Sequence, residues 1–220
     1  MEKCNLSCAD CALALCNSDR EDYTEFCETG KMDPEFLDEV TEKYFNDPEN
    51  LEIMRAAAAV EYGGYCKLTR LQEIAEFAQK MNYKKIGIAT CVGLLKETRI
   101  VARFLRSKGF EVYGIGCKVG KVSKQELGIP EECNAIGKSI CNPIMQAALL
   151  EKYETDYNIV VGLCVGHDAL FYKHSKAPVS TLICKDRVLG HNPAAAVYMA
   201  DSFYAKKLFD MPLESDKTVR

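Results

Sequence analysis

Residues 157–193, YNIVVGLCVGHDALFYKHSKAPVSTLICKDRVLGHNP, decide the fold. Tyr157–Leu163 is short, apolar and rich in β-branched side chains, and Gly162 and Gly166 bracket Cys164 where such a run should end. That pattern is a buried strand feeding a turn. His167 and Asp168 then open DALFYKHS, a short helix, and Pro178 starts a second apolar run, VSTLIC. A thiol, an imidazole and a carboxylate therefore share one turn. In an open α/β sheet, turns at the carboxyl ends of strands are where ligands bind.

The same grammar extends outward on both sides. From Lys84, KKIGIAT is a strand, GLLKETRIVARFLRSKG a helix ending on Gly109, and FEVYGIG the next strand. An irregular piece runs from Lys118 to Ser139. Asn142-Pro143 then caps and starts the helix PIMQAALLEKY, and Asn192-Pro193 does the same for a final helix, AAAVYMADSFYAKKLF. Four strands separated by helices predict an α/β fold: a small parallel four-stranded sheet of order 2-1-3-4, flanked by helices and joined by right-handed crossovers. Residues 33–82 read as helices. Asp33-Pro34 and Asp47-Pro48 each put a capping carboxylate before proline, Thr69 to Gln72 forms a capping box, and NLEIMRAAAAVEYGGY stops at Gly63-Gly64. The expected organisation is a cysteine-rich metal segment plus helices over 1–82, and over 83–220 an α/β domain carrying cysteines at the C-terminal ends of its strands.

The chain has 220 residues, 48% of them hydrophobic, which is enough to bury a core, and its net charge of -4 is mild. No Lys/Arg cluster interleaved with aromatics points to a nucleic-acid surface, and no apolar run approaches the roughly 20 residues of a membrane span. The opening MEKCNLSCADCALALC lacks the sustained apolar stretch of a secretory signal. A soluble, cytoplasmic protein is expected. Twelve cysteines in such a chain are better explained by thiolates serving metals than by disulfides, in a cytoplasm kept reducing, such as that of an anaerobe.

Cys4, Cys8, Cys11 and Cys16 are spaced C-x3-C-x2-C-x4-C. A core has no use for four thiols so close together, so they are read as metal ligands. One continuous run of cysteines favours an iron-sulfur cluster of the 4Fe-4S kind, with zinc the alternative. The first three also match the spacing of radical S-adenosylmethionine enzymes. That reading is rejected, because Cys16 can close the fourth position and there is no room for a barrel strand ahead of Cys4.

A second set emerges from the sheet. Cys91 follows strand 1, Cys117 follows strand 2 and Cys164 follows strand 3, so all three fall on one edge, with Cys91 and Cys164 flanking the point where strand order reverses. Cys141 is expected as the fourth ligand, provided the irregular segment folds back over the crevice. Cys184 ends strand 4 and could also face the crevice, but in the β-branched run TLIC it reads as a packing thiol rather than a ligand. Cys133 is a weaker candidate ligand, and Cys27 and Cys66 read as ordinary thiols or spare ligands. The polar residues expected at the crevice are Lys118, His167, Asp168, Lys185, Asp186, Arg187 and His191. His167, Lys118 and Asp168 are the candidate catalytic groups: His167 heads a helix, whose dipole disfavours the imidazolium and suits a neutral base, ligand or donor. His174 reads as a helix-surface residue.

The chain resembles, over nearly its whole length, a family of small cysteine-rich bacterial and archaeal proteins described as metal-binding, domain of unknown function 1847. The resemblance rests on the N-terminal cysteine spacing, on CVGL at 91–94, GCKVG at 116–120, CNPIMQA at 141–147, and on GLCVGHDALF and KDRVLGHNP. It implies a metal protein without an established reaction. Cys4, Cys8, Cys11, Cys16, Cys91, Cys117, Cys141 and Cys164 lie in those motifs, whereas Cys133 and Cys184 stand where the family is often aliphatic or variable.

The first functional expectation is an iron-sulfur protein whose sheet-edge cluster serves redox or sulfur chemistry on a small molecule, or exchanges electrons with a redox partner protein. The second is a zinc-stapled module, metallochaperone or sensor without catalysis. The third keeps Cys91 metal-free as a nucleophile activated by the following helix. No C-x5-R signature follows Cys91, so a phosphatase loop is unsupported.

Overall fold

The computed structural model describes residues 6–210. The chain divides into two compact units, Met1–Ala58 and Ala59–Arg220.

In the second unit the four strands β1 (Lys85–Thr90), β2 (Glu111–Gly116), β3 (Tyr157–Val161) and β4 (Val179–Ile183) form one sheet in the order β2-β1-β3-β4. All three pairings are parallel. Ile86, Ile88, Ala89, Ile159, Val160 and Val161 are buried to within 1% of complete, as strands covered on both faces must be. Thr90, the last residue of β1, pairs with Gly116 on one side and Val161 on the other, so these three strands end level.

The helices, in chain order, are α1 (Pro34–Asn46), α2 (Pro48–Gly64), α3 (Arg70–Lys80), α4 (Leu95–Ser107), α5 (Pro143–Lys152), α6 (His167–His174) and the short α7 (Ala194–Tyr198). They follow from local signals. Gln72 Oε1 accepts the Thr69 N–H at 2.9 Å to start α3, and α4 buries Thr98, Val101, Ala102 and Leu105 along one stripe. Asn142 opens α5, its Oδ1 accepting the Met145 N–H at 3.0 Å, and α6 buries Phe171. None of the described helices is long and apolar enough to cross a membrane.

One expected element is much shorter than its sequence suggests. The final helix closes after Tyr198 and gives way to turns before Lys206–Asp210, because Val197, Tyr198 and Phe203 are exposed and no buried stripe sustains the helix.

In the first unit, Asp33 and Asp47 cap the starts of α1 and α2 by accepting the N–H groups of Glu35 and Glu49, each at 3.0 Å. Two single turns, Cys8–Asp10 and Leu15–Asn17, precede them. Among the described residues of this unit only Leu15 and Ala56 are buried, and α1 buries none.

Candidate metal-thiolate sites

The carboxyl edge of the sheet is built by three chain reversals. After β1, Cys91 leads into the turn Val92–Leu94, and its sulfur accepts the Gly93 N–H at 3.4 Å. After β2, Cys117 takes its place with its N–H on the Thr90 carbonyl at 2.8 Å, and its sulfur accepts the Val92 N–H at 3.4 Å. After β3, Gly162 turns the chain with φ of +66°, and a side chain there would come within 1.9 Å of Leu94 Cδ1. Only glycine meets both demands. Two residues later comes Cys164.

The irregular segment folds back. Ser123 and Ser139 form an antiparallel bridge, Ile140 N–H donates to the Val122 carbonyl at 3.0 Å, and Asn142 N–H donates to the Cys117 carbonyl at 2.7 Å. Lys118 Nζ fastens the return by donating to the Ser139 carbonyl at 2.6 Å. From α5, Gln146 Nε2 reaches the carbonyls of Thr90 and Ile115 at 3.2 and 2.7 Å, fixing the start of that helix against the ends of β1 and β2. Cys141 is thereby delivered to Cys117.

The thiols of Cys91, Cys117 and Cys141 form a chain of side-chain contacts with Cys117 in the middle, and His167 continues it beyond Cys141. They titrate as a set. Cys91 is drawn down to about 5, chiefly by the contact with Cys117, helped by the Gly93 N–H and by Lys185, against the opposing effect of burial. Cys141 falls to about 4 through Cys117, then His167, with Lys118 adding its charge. Cys117 moves far the other way, because each neighbour is better stabilised as the anion and the middle sulfur keeps the proton. Contact with Cys141 raises His167 from its ordinary range, against the opposing effects of burial and of the Lys118 charge.

Cations surround this set. Lys185 Nζ lies 3.4 Å from Cys91 Sγ, and Arg187 Nη2 lies 3.1 Å from Cys164 Sγ while its charge also acts on Cys91 and Cys141. Their loop is locked by His191, whose Nδ1 accepts the Asp186 N–H at 3.1 Å while its own N–H returns to the Asp186 carbonyl at 2.7 Å. Lys185 and Arg187 are direct thiol partners that the sequence marks only as polar neighbours. The available signal is KDRVLGH, directly after β4.

The other expected residues take plainer places. Asp168 turns to its own helix, Oδ1 accepting the Ala169 N–H at 2.8 Å, and acts on His167 only through its charge. Cys164 contacts Arg187 rather than joining the chain of thiol contacts. Cys184, expected to pack, is exposed because it lies past the end of β4; Cys66 is exposed too, and Cys133 is half-buried.

In the first unit Cys8, Cys11 and Cys16 line one cavity of about 170 Å³, and Cys27 joins them. Cys4 lies outside the described residues. Backbone N–H groups of Ala14 and Leu13 pull the Cys11 thiol below its ordinary range. Ala14 itself holds a left-handed conformation, φ 47°, in the turn between Cys11 and Cys16.

Soft thiolates with cationic neighbours suit a thiophilic metal or an iron-sulfur group. Two buried polar atoms lack a hydrogen-bond partner beside these thiols: His167 Nδ1 at the sheet edge and Thr24 Oγ1 at the cavity. Unsatisfied buried polar atoms are rare and fit a site made for another group. As the side chains stand, no three described His, Cys, Asp or Glu residues form a group that could hold a metal ion.

The chain is 46% identical over 187 residues to an uncharacterized protein of Methanocaldococcus jannaschii, covering 84% of this chain and 95% of the relative. A family model described as "Protein of unknown function (DUF1847)" matches residues 27–182, a span that begins at Cys27 and takes in Cys91, Cys117, Cys141 and Cys164. The chain belongs to that family of proteins of unknown function, DUF1847.

Proposed function

We propose that this chain is a cytoplasmic metal-thiolate protein whose sheet-edge crevice holds an iron-sulfur cluster on Cys91, Cys117, Cys141 and Cys164, for redox or sulfur chemistry on a small anionic molecule. The observation that carries the reading is the contact chain Cys91–Cys117–Cys141–His167, assembled from separate elements at the carboxyl edge of the sheet, where strand order reverses. Keeping two thiolates beside a third sulfur costs free energy unless positive charge compensates, and Lys185, Arg187 and Lys118 supply part of it. A bound cluster held by all four cysteines would supply one-electron transfer; polarisation of a substrate atom would require one of the four, such as Cys164, to leave its iron open. His167, whose imidazolium form is favoured by the neighbouring Cys141, can act as a proton donor or acceptor at the crevice, and Arg187 can pair with an anion. Anaerobic purification followed by iron and sulfide determination tests this; protein free of both would dispose of it, and zinc alone would favour a stapled or metal-delivering module.

A specific contact favours a second reading. Lys185 and the Gly93 N–H both face the Cys91 sulfur, the arrangement that activates a thiolate nucleophile. Rapid alkylation of Cys91 in metal-replete protein would support that reading over the first.

A further inference from the structure

The Met1–Ala58 unit has too little core to hold itself together by burial. Only Leu15 and Ala56 are buried among its described residues, while Phe36, Leu37, Tyr44 and Phe45 on α1 are exposed. Units this small that lack a core are usually held by disulfides or metals. The described cysteines of the unit are free. They are also gathered: Cys8, Cys11, Cys16 and Cys27 border a single cavity with Phe26 and Thr24, and Thr24 Oγ1 is buried there without a partner.

We infer that Cys8, Cys11, Cys16 and Cys27 together form a four-thiolate centre for a thiophilic metal, a zinc ion or an iron-sulfur cluster, that staples the first unit, with Cys27 rather than Cys4 as the fourth ligand. The spacing C-x2-C-x4-C-x10-C allows it: a compact loop supplies three sulfurs and a second loop returns the fourth to the same cavity. The backbone of the three-cysteine loop is already shaped, with Ser7 Oγ accepting the Ala9 N–H and Asp10 Oδ2 accepting the Ser7 N–H at 2.8 Å, and the left-handed Ala14 reversing the chain before Cys16. Cys27 sits in its own turn, its N–H on the Thr24 carbonyl at 3.0 Å and its carbonyl accepting the Lys31 N–H at 3.2 Å. The centre's role is structural: metal binding here is folding free energy for the unit. This deepens the metal-thiolate reading for the N-terminal cysteines and does not depend on a crevice cluster.

The test uses full-length protein prepared without oxygen, as wild type and as the variants C4A, C27A and C164A. Iron, zinc and acid-labile sulfide are measured per chain, and each thiol's alkylation by iodoacetamide is followed by peptide mass spectrometry. C4A should keep the wild-type content, and C27A should lose one centre's worth of metal. In loaded wild type, Cys8, Cys11, Cys16 and Cys27 should all resist alkylation and become reactive together when a chelator or oxidant strips the metal; in C27A the other three should react at the stripped rate from the start. Sulfide lost with the metal identifies a cluster, and zinc lost alone identifies a single ion. Retention of the metal in C27A with its loss in C4A would overturn the assignment, as would Cys27 alkylating in loaded wild type as fast as in denatured chain. The wild-type alkylation pattern decides the matter even if C27A fails to fold. An effect of C27A without one of C164A leaves this centre standing and counts against the crevice cluster alone.

Discussion

Lys185 Nζ lies 3.4 Å from Cys91 Sγ across 94 residues of sequence, joining the turn after β1 to the loop after β4. The lysine cooperates with Cys117 and the Gly93 N–H in holding Cys91 as a thiolate. In metal-free protein, Cys91 is therefore expected to alkylate at pH 6, where an ordinary thiol with pKa of roughly 8.5 is almost wholly protonated. Lys185→Met should move the midpoint of the Cys91 alkylation profile upward, because the thiol form gains as the neighbouring cation goes. An unshifted profile would show that the ammonium has no influence on the sulfur.

Gln146 offers a test of the fold that carries Cys141. Its Nε2 satisfies the carbonyls of Thr90 and Ile115 while its Oε1 is buried without a partner. Gln146→Leu should destabilise the protein by about 1–3 kcal/mol, since two carbonyls lose their donor, with the loss of the unpartnered oxygen offsetting part of the cost. Urea denaturation would read this as a lower midpoint at unchanged slope.

Gly162 should tolerate no side chain. With φ at +66° and Leu94 Cδ1 only 1.9 Å from where an added methyl would lie, Gly162→Ala should cost about 2 kcal/mol or more, combining backbone strain with overpacking. Thermal unfolding should show it as a drop of several degrees, and a melting temperature equal to wild type would mean that the turn has another available path.

Much of this arrangement is legible in the residues. Apolar runs bounded by glycine and proline mark the four strands, and once their parallel order is set, Cys91 and Cys117 must end on one edge. Asn142-Pro143 announces α5 because a capping amide before proline leaves the chain little else to do. The path from Lys118 to Cys141 is less visible: it depends on a bridge between two serines, and serine has no strand preference that would advertise it. The sequence AAAVYMA promises a longer last helix than forms, because good local propensity does not replace a buried face. Cys27 looks solitary along the chain, since sequence distance gives no hint that its turn borders the same cavity as Cys8, Cys11 and Cys16.

The two proposed cysteine sets have no residue in common, so they should fail separately. Cys8→Ser should strip the N-terminal metal and loosen the first unit while sparing metal at the sheet edge. Cys164→Ser should empty the sheet edge and leave the N-terminal metal in place. Limited proteolysis locates the loosened region, and metal content per chain counts what is lost. Loss of all metal in either variant would show that the sets depend on one another.

The proposed cluster is held by Cys164 and by the contact chain of Cys91, Cys117 and Cys141, and Cys117, the middle sulfur of that chain, is its most sensitive point. Iron and acid-labile sulfide should be measured in anaerobically prepared wild type and Cys117→Ser, with electron paramagnetic resonance spectra of both after reduction. Wild type should contain iron and sulfide with a cluster signal, and Cys117→Ser should lose the share held at the sheet edge while keeping the N-terminal metal. Wild type free of iron and sulfide, or a Cys117→Ser protein with undiminished iron and an unchanged spectrum, would contradict the account.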